Sequence, residues 1–551
     1  MRQGARVCVC VCVSWAGWLQ ALHSEPRVDA AATKMPAVKE CINIHIGQAG
    51  CQVGARTWEL FTEEHAIAPD GTRDLGSPDI DFEDDSFSSF FHETGSGQFV
   101  PRSVFVDTEP TVINDVKASK WGSLFHPESL IAFKQDCKSN FFEGRTMASA
   151  FKIQDVVLDR IRLAAELCEN LQGFFAFHSV GGGTGSGVAV EVLHDLRDMF
   201  SKKAVFQPVI YPSQHYSSCI VEPYNCIFAT HFTRDVVDLS IMLDNQAVYN
   251  ICDRNLQIKN PHFFHVNHII AQCISGVTGP LRYETQLNAT LPEIQNNIVP
   301  CKQFRYTFLS LAPIRHEARR GHEAFNTEEI VKELFEEQNT LCDCVKLSSN
   351  RYLAAVIVMR GGGAGPRSAD PGKPRETEKY VSTNAVLSTL NDLKHPPSTK
   401  SHARSIKFVP WMEGSGVKVG IVNAKPVTPS TKGFPLAPAT RQGILLGNNT
   451  AIRQLFVRQY LRFLKLYYHK AYVWQFIGAN GDDDTFAEAK ESVRSIIDEY
   501  EVLMRDVAAV EGERLGRTGT GRVSLVGGTE RAEQRFTMTA ATMAAATARP
   551  F

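Results

Sequence analysis

From Phe174 to Gly187 the chain reads FFAFHSVGGGTGSG. The apolar run Phe174-Phe175-Ala176-Phe177 predicts a buried strand, closed by His178 and Ser179, and Val188 to Phe200 reads as a helix. Strand, glycine loop and helix in that order point to an open α/β sheet and to a phosphate as ligand. Residues without a Cβ let the backbone approach an anion closely. The free N–H groups and the positive end of the next helix then bind its charge. No Lys-Ser or Lys-Thr closes the loop, so it is not a Walker A motif. A glycine run alone reads equally as a turn, which is the reading for Gly361 to Gly363.

The same pattern recurs. Cys41 to Ile46 predicts a first strand, running into Gly47-Gln48-Ala49-Gly50 and an amphipathic helix through Leu60. Val104-Phe105-Val106 predicts a strand ending in Asp107-Thr108-Glu109, where two acids suit Mg²⁺ or form a solvated strand end. Val205 to Ile210 and Ile241 to Leu243 predict two more strands. The hydroxyls and carboxylate of Ser217 to Asn225 can hold ribose and phosphate, and Asn245 can donate to and accept from a purine edge. Open sheets bind ligands at the carboxyl ends of their strands. The alternation across 40–243 predicts a doubly wound, mostly parallel nucleotide-binding sheet.

At 551 residues the chain exceeds one core. The expected plan is an N-terminal extension over 1–37, a nucleotide-binding domain over 38–243 and a central helix over 244–281. A mixed α/β second domain over 282–448, a C-terminal helical layer over 449–512 and a disordered tail over 513–551 follow. Residues 1–34 superficially resemble a secretory signal, and a start at Met35 is the preferred reading. Strands are expected at Tyr352–Met359, Ile406–Val409 and Val417–Val422, with exposed Pro- and Gly-rich loops at 361–379 and 395–404. A net charge of −2 gives no general reason to expect nucleic acid. The 14 cysteines form no CxxC pair, which suits a reducing cytosol. No apolar run approaches the ~20 residues of a membrane span.

Several of these stretches together resemble the tubulin family. GGGTGSG after a strand is similar to its nucleotide loop, and IHIGQAGCQVG to the first nucleotide loop of α-tubulins. FVDTEPTV is similar to the family's FVDLEPTV, and VEPYN matches family text. Asp136 to Asn140 matches a further phosphate loop, with Ser139 where the family usually has Asn. The resemblance spans about Val38 to Glu511. It implies GTP with Mg²⁺, held by Gln48, Glu109, Ser179, Gly183, Thr184, Ser218, Glu222, Asn245, Phe263 and Asn267. Glu109 is the implied metal residue, and Phe263 stands where the family has a base-stacking tyrosine. Guanine, rather than adenine, is implied by the resemblance alone.

Two features resemble the α class: the glutamate of Leu291-Pro292-Glu293, where β-tubulins have lysine, and the long segment Pro426 to Pro438. In the polar loop Asp70 to Asp85 the lysine that α-tubulins acetylate is absent. The resemblance implies that Glu293 catalyses hydrolysis of the neighbouring β subunit's GTP. Thr290-Leu291-Pro292-Glu293 also reads as a helix-capping box. Implied partners are β-tubulin in a heterodimer, lateral tubulin neighbours, and motor and microtubule-associated proteins on the C-terminal helices. The implied location is the cytoplasmic microtubule cytoskeleton, with neither nucleic acid nor membrane as partner. The tail departs from the glutamate-rich family pattern, with six arginines against three glutamates in 513–551. Two alternatives stand beside this reading. A Rossmann oxidoreductase would need GxGxxG and a ribose-binding acid, and the loops here differ. A divergent relative would bind nucleotide without polymerising.

Overall fold

A computed structural model describes residues 39–73, 85–213, 216–217, 219–283, 285, 289–319, 326–343, 350–361, 381–395, 406–428 and 434–518. The strands are β1 (Glu40–Ile46), β2 (Phe91–Glu93), β3 (Phe99–Pro101), β4 (Ser103–Asp107), β5 (Leu130–Ala132) and β6 (Leu171–Ser179). They continue with β7 (Ala204–Tyr211), β8 (Leu239–Asp244), β9 (Tyr306–Ala312), β10 (Tyr352–Gly361), β11 (Val417–Val422) and β12 (Arg441–Asn449). Ten of them form one sheet in the order β11-β10-β12-β9-β8-β7-β6-β1-β4-β5, and β2 pairs with β3 beside it. Only β12 runs against its neighbours; every other adjacent pair in the sheet is parallel.

Helices α1 (Gly47–Glu64), α2 (Pro110–Ala118), α3 (Phe141–Ala150), α4 (Ile153–Glu166), α5 (Ala189–Met199), α6 (Glu222–Thr233) and α7 (Asn245–Arg254) follow the strands. Then come α8 (Phe263–Arg282), α9 (Leu291–Ile298), α10 (Thr327–Leu334), α11 (Thr383–Lys394), α12 (Arg453–Tyr468), α13 (Val473–Ile477) and α14 (Asp483–Thr518). Alternate strand residues feed opposite faces. Phe175 and Phe177 of β6 join Trp58, Phe61 and Ile270, while Phe174 and Ala176 join Ile161, Val192 and Leu196. Such strands bury both faces, as parallel sheets do. On the last helix Phe486, Ala489, Val493, Ile496, Ile497, Tyr500 and Leu503 are buried, as their spacing predicts.

Three expectations change. The central helix over 244–281 is two helices, α7 and α8, parted at 255–262; Pro261 lacks the N–H a continuing helix needs. Within the mixed α/β region expected over 282–448, β9 pairs in parallel with β8 and so continues the first sheet. Ile406–Val409 makes only a single bridge, Phe408 to Tyr352. Helix α14 runs past residue 512 to Thr518, into the segment expected to be tail. From Lys39 onward the described residues form one compact unit. Residues 1–37, most of the 70–85 and 361–379 loops and of 395–404, part of Pro426 to Pro438, and 519–551 lie outside the described residues. No described helix is long and apolar enough to cross a membrane.

Candidate functional site

The carboxyl ends of β1, β4, β6, β7 and β8 lie along one rim, because these strands are parallel. Gly47 leaves β1 with φ +74°. That left-handed turn carries exposed Gln48 into the first turn of α1 and brings the backbone against Gly185, whose N lies 3.0 Å from where a Gly47 Cβ would stand. At the glycine loop, a Cβ on Gly183 would lie 2.7 Å from the Cβ of Cys137. Loop 136–140 therefore packs directly on loop 181–187. The hydroxyls of Thr108 and Thr184 are 2.6 Å apart, linking the end of β4 to the same loop.

His178 braces the loop from beneath. Burial lowers its imidazole to about 4, against the hydrogen bonds with Gly185 and Ser179. It is thus neutral at pH 7; Nδ1–H donates to the Gly185 carbonyl at 2.6 Å and Nε2 accepts from Gln207 at 2.6 Å. The N–H groups of Gly181, Gly182 and Gly183 meet no acceptor among the described residues. Donors left bare beside a helix start form an anion cradle. Ser179 ends β6 against Gly182 and Gly185.

Carboxylates border the loop. Asp107, 3% exposed, ends β4 and accepts the Glu109 N–H at 3.4 Å. Burial pushes its carboxyl up to about 6, with Glu109 and Asp136 pushing the same way. Exposed Glu109 stands just before α2, makes no side-chain capping bond to it, and accepts from Thr111 Oγ1 at 2.7 Å. Among the described residues no three His, Cys, Asp or Glu side chains converge as a ready-made metal cluster. Mutually repelling carboxylates beside a phosphate cradle nevertheless fit Mg²⁺, which takes oxygen ligands from one or two carboxylates plus substrate phosphate.

Glu222, buried at the start of α6, accepts from Ser217 Oγ at 2.6 Å. Ser218 lies outside the described residues. Asn245 opens α7 directly after Asp244, whose carboxylate caps Gln246 N–H at 3.0 Å and pairs with Arg458 of α12. Phe263 opens α8 with half its surface exposed, and Asn267 follows one turn later, buried. Tyr249 of α7 links Phe263 to Tyr216: its ring is 6.4 Å from the first and 4.3 Å from the second.

Glu293 sits elsewhere. It is exposed on α9, where its Oε2 accepts the Thr290 N–H at 2.9 Å and its own N–H reaches Thr290 Oγ1 at 3.4 Å, so the capping box is formed. Leu291 packs on the beginning of β6, 3.1 Å from where a Gly173 Cβ would stand. About 20 Å of strand separates Gly173 from Ser179. Lys39, just before β1, is lowered by burial and pushed back up by the Glu293 carboxylate. Glu293 therefore belongs to the amino ends of the strands, away from its own chain's glycine loop.

Sequence reading missed His178 as a brace, the burial of Asp107 and the role of Asn225. Only Asp107 carried a signal, as the acid at a strand's last residue.

A doubly wound parallel sheet with bare N–H groups over a glycine loop defines a phosphate-binding α/β domain of the nucleotide-binding type. Comparison with protein families narrows this: residues 40–253 match the Tubulin/FtsZ family, GTPase domain. That segment is similar to such a GTPase domain, and it contains the rim from Gln48 to Asn245; Phe263, Asn267 and Glu293 lie beyond it.

Proposed function

We propose that the rim binds one GTP with Mg²⁺ and that the chain works as an α-tubulin-like subunit of an αβ heterodimer in cytoplasmic microtubules. The observation that carries the reading is the bare-amide glycine loop at the meeting point of five strand ends. Gly181 to Gly183 and Thr184 take the phosphates, with Ser179 and Ser218 beside them. Glu222 takes ribose, Asn245 and Asn267 the purine edge, and Phe263 stacks on the base. Gln48 and Glu109 border the phosphates. Glu109, with Asp107 behind it, would hold the metal, which neutralises phosphate charge when bound.

Glu293 supplies hydrolysis to a neighbour. Phosphoryl transfer to water needs a group that orients the water and takes its proton, and a carboxylate does both. Its location at the amino ends of the strands supports action on the next subunit's nucleotide in a head-to-tail stack. A stack of that kind brings β-tubulin against both ends of the subunit. Lateral tubulin neighbours, and motor and microtubule-associated proteins on α12 to α14, belong to the same proposal. The arginine-rich segment 513–551 supports a second reading, a divergent relative that binds nucleotide and does not polymerise.

The test is co-assembly with a β-tubulin partner, with denatured heterodimer assayed for released GTP. Glu293→Gln retains an acceptor for the Thr290 N–H and removes the base. It is expected to assemble while phosphate release slows by about 100-fold or more. Glu293→Ala also loses the cap, at about 1 kcal/mol. Normal phosphate release from well-formed Glu293→Gln polymer would leave Glu293 only its capping role. Failure of the wild-type chain to pellet would favour the second reading.

A further inference from the structure

Asn225 lies in the first turn of α6, three residues after Glu222, and is 0% exposed. Its Oδ1 accepts the Phe141 N–H at 3.0 Å; its Nδ2 donates to the Ser139 carbonyl at 2.7 Å and to the Gly181 carbonyl at 2.8 Å. An amide nitrogen has two hydrogens, and here one goes to each of the two loops that border the phosphate cradle.

We propose that Asn225 is a positioning residue for the nucleotide's phosphates, fixing loop 136–140 and loop 181–187 in one relative geometry. The inference rests on the GTP reading above and deepens it. Lys138 and Ser139 have φ of +47° and +53°. Non-glycine residues keep that left-handed conformation only where their surroundings hold it. The Asn225 bond to the Ser139 carbonyl is such a hold, and the Phe141 bond fixes the next turn. On the other loop, a planar trans peptide sets its carbonyl and the following N–H in opposite directions. With the Gly181 carbonyl turned onto Asn225, the bare Gly182 N–H points away from α6.

Without the amide, either peptide is free to rotate and present a carbonyl oxygen to an anion instead of an N–H. Asn225 touches no phosphate itself. It spares the loops an ordering cost that binding would otherwise meet.

The experiment measures equilibrium binding of guanosine, GDP and GTP, with magnesium present, to the full chain and to Asn225→Asp and Asn225→Ser. Asn225→Asp is nearly isosteric, keeps an acceptor for Phe141 and loses both donors. Asn225→Ser is neutral and smaller, so it removes the bridge without burying a charge. Both are expected to hold guanosine as the wild type does and to bind GDP and GTP more weakly by about ten-fold or more, the scale of one charge-assisted contact. A merely structural amide would lower all three affinities together. That outcome, unchanged GTP binding, or failure of both variants to fold would overturn the proposal. A wild-type chain that binds none of the three would overturn the GTP reading itself, and this inference with it.

Discussion

Asp107 shows how a single residue trades stability for a site. Its carboxyl stands at about 6 in the folded chain against an ordinary 3.8. A raised carboxyl favours the folded state below the ordinary value, and that support is lost as pH rises through about 6. At pH 7 the buried charge therefore costs about 3 kcal/mol. Asp107→Asn keeps an acceptor for the Glu109 N–H and removes the charge. Urea unfolding of metal-free, nucleotide-free protein should show Asp107→Asn more stable at pH 7 by up to that amount, with no gain at pH 4. Magnesium should then strengthen nucleotide binding less than in the wild type. A destabilised variant at pH 7 would contradict the account.

Among elements, the junction of α1, α8 and β10 is held by charge. Glu64, at the last turn of α1, pairs with Arg282 of α8 at 2.6 Å and with Arg360 of β10 at 2.7 Å, and all three side chains are buried. Burial pushes Glu64 up, but Arg360 and Arg282 outweigh it and hold the carboxyl at about 2. Glu64→Gln leaves two buried guanidinium groups facing a neutral amide and should cost about 3–5 kcal/mol, read from the urea midpoint. Nothing in the sequence marked this cluster, because its members stand nearly 300 positions apart and each looks like an ordinary surface charge. The strand–glycine–helix units were legible, since their periodicity and glycines are local. The break between α7 and α8 carried a local signal, the turn pair Asn260-Pro261, that the reading of one helix over 244–281 did not use. Asn225 had no local mark, because its partners belong to two other loops. At Glu293 the sequence left two roles open, and the formed capping box establishes one of them without removing the other.

Across the whole molecule, four histidines among the described residues, His45, His65, His178 and His268, are fully or almost fully buried. Burial lowers His45 and His268 to about 3, His178 to about 4, and His65 well below the ordinary 6.5. The unfolded chain takes up these protons below pH 6.5 while the folded chain does not, so stability falls as the medium is acidified from 6.5 toward 4. At pH 5 His45, His178 and His268 each contribute a loss of about 2 kcal/mol, and His65 acts in the same direction. Urea midpoints should drop steeply between pH 7 and 5, with net proton uptake on unfolding. A flat profile over that interval would show the imidazoles to be less shielded than their burial implies.

Seven neighbouring strands, from β5 to β9 across the sheet, all run the same way. The two ends of the sheet therefore differ in kind, one lined with bare amides and the other carrying a carboxylate on α9. Any row of such units joined front to back inherits an arrow. Its terminal units expose different chemistry, so addition at one tip need not match addition at the other. A protein that recognises one tip has no matching surface at the opposite one, and a carrier moving along the row has a built-in sense of forward.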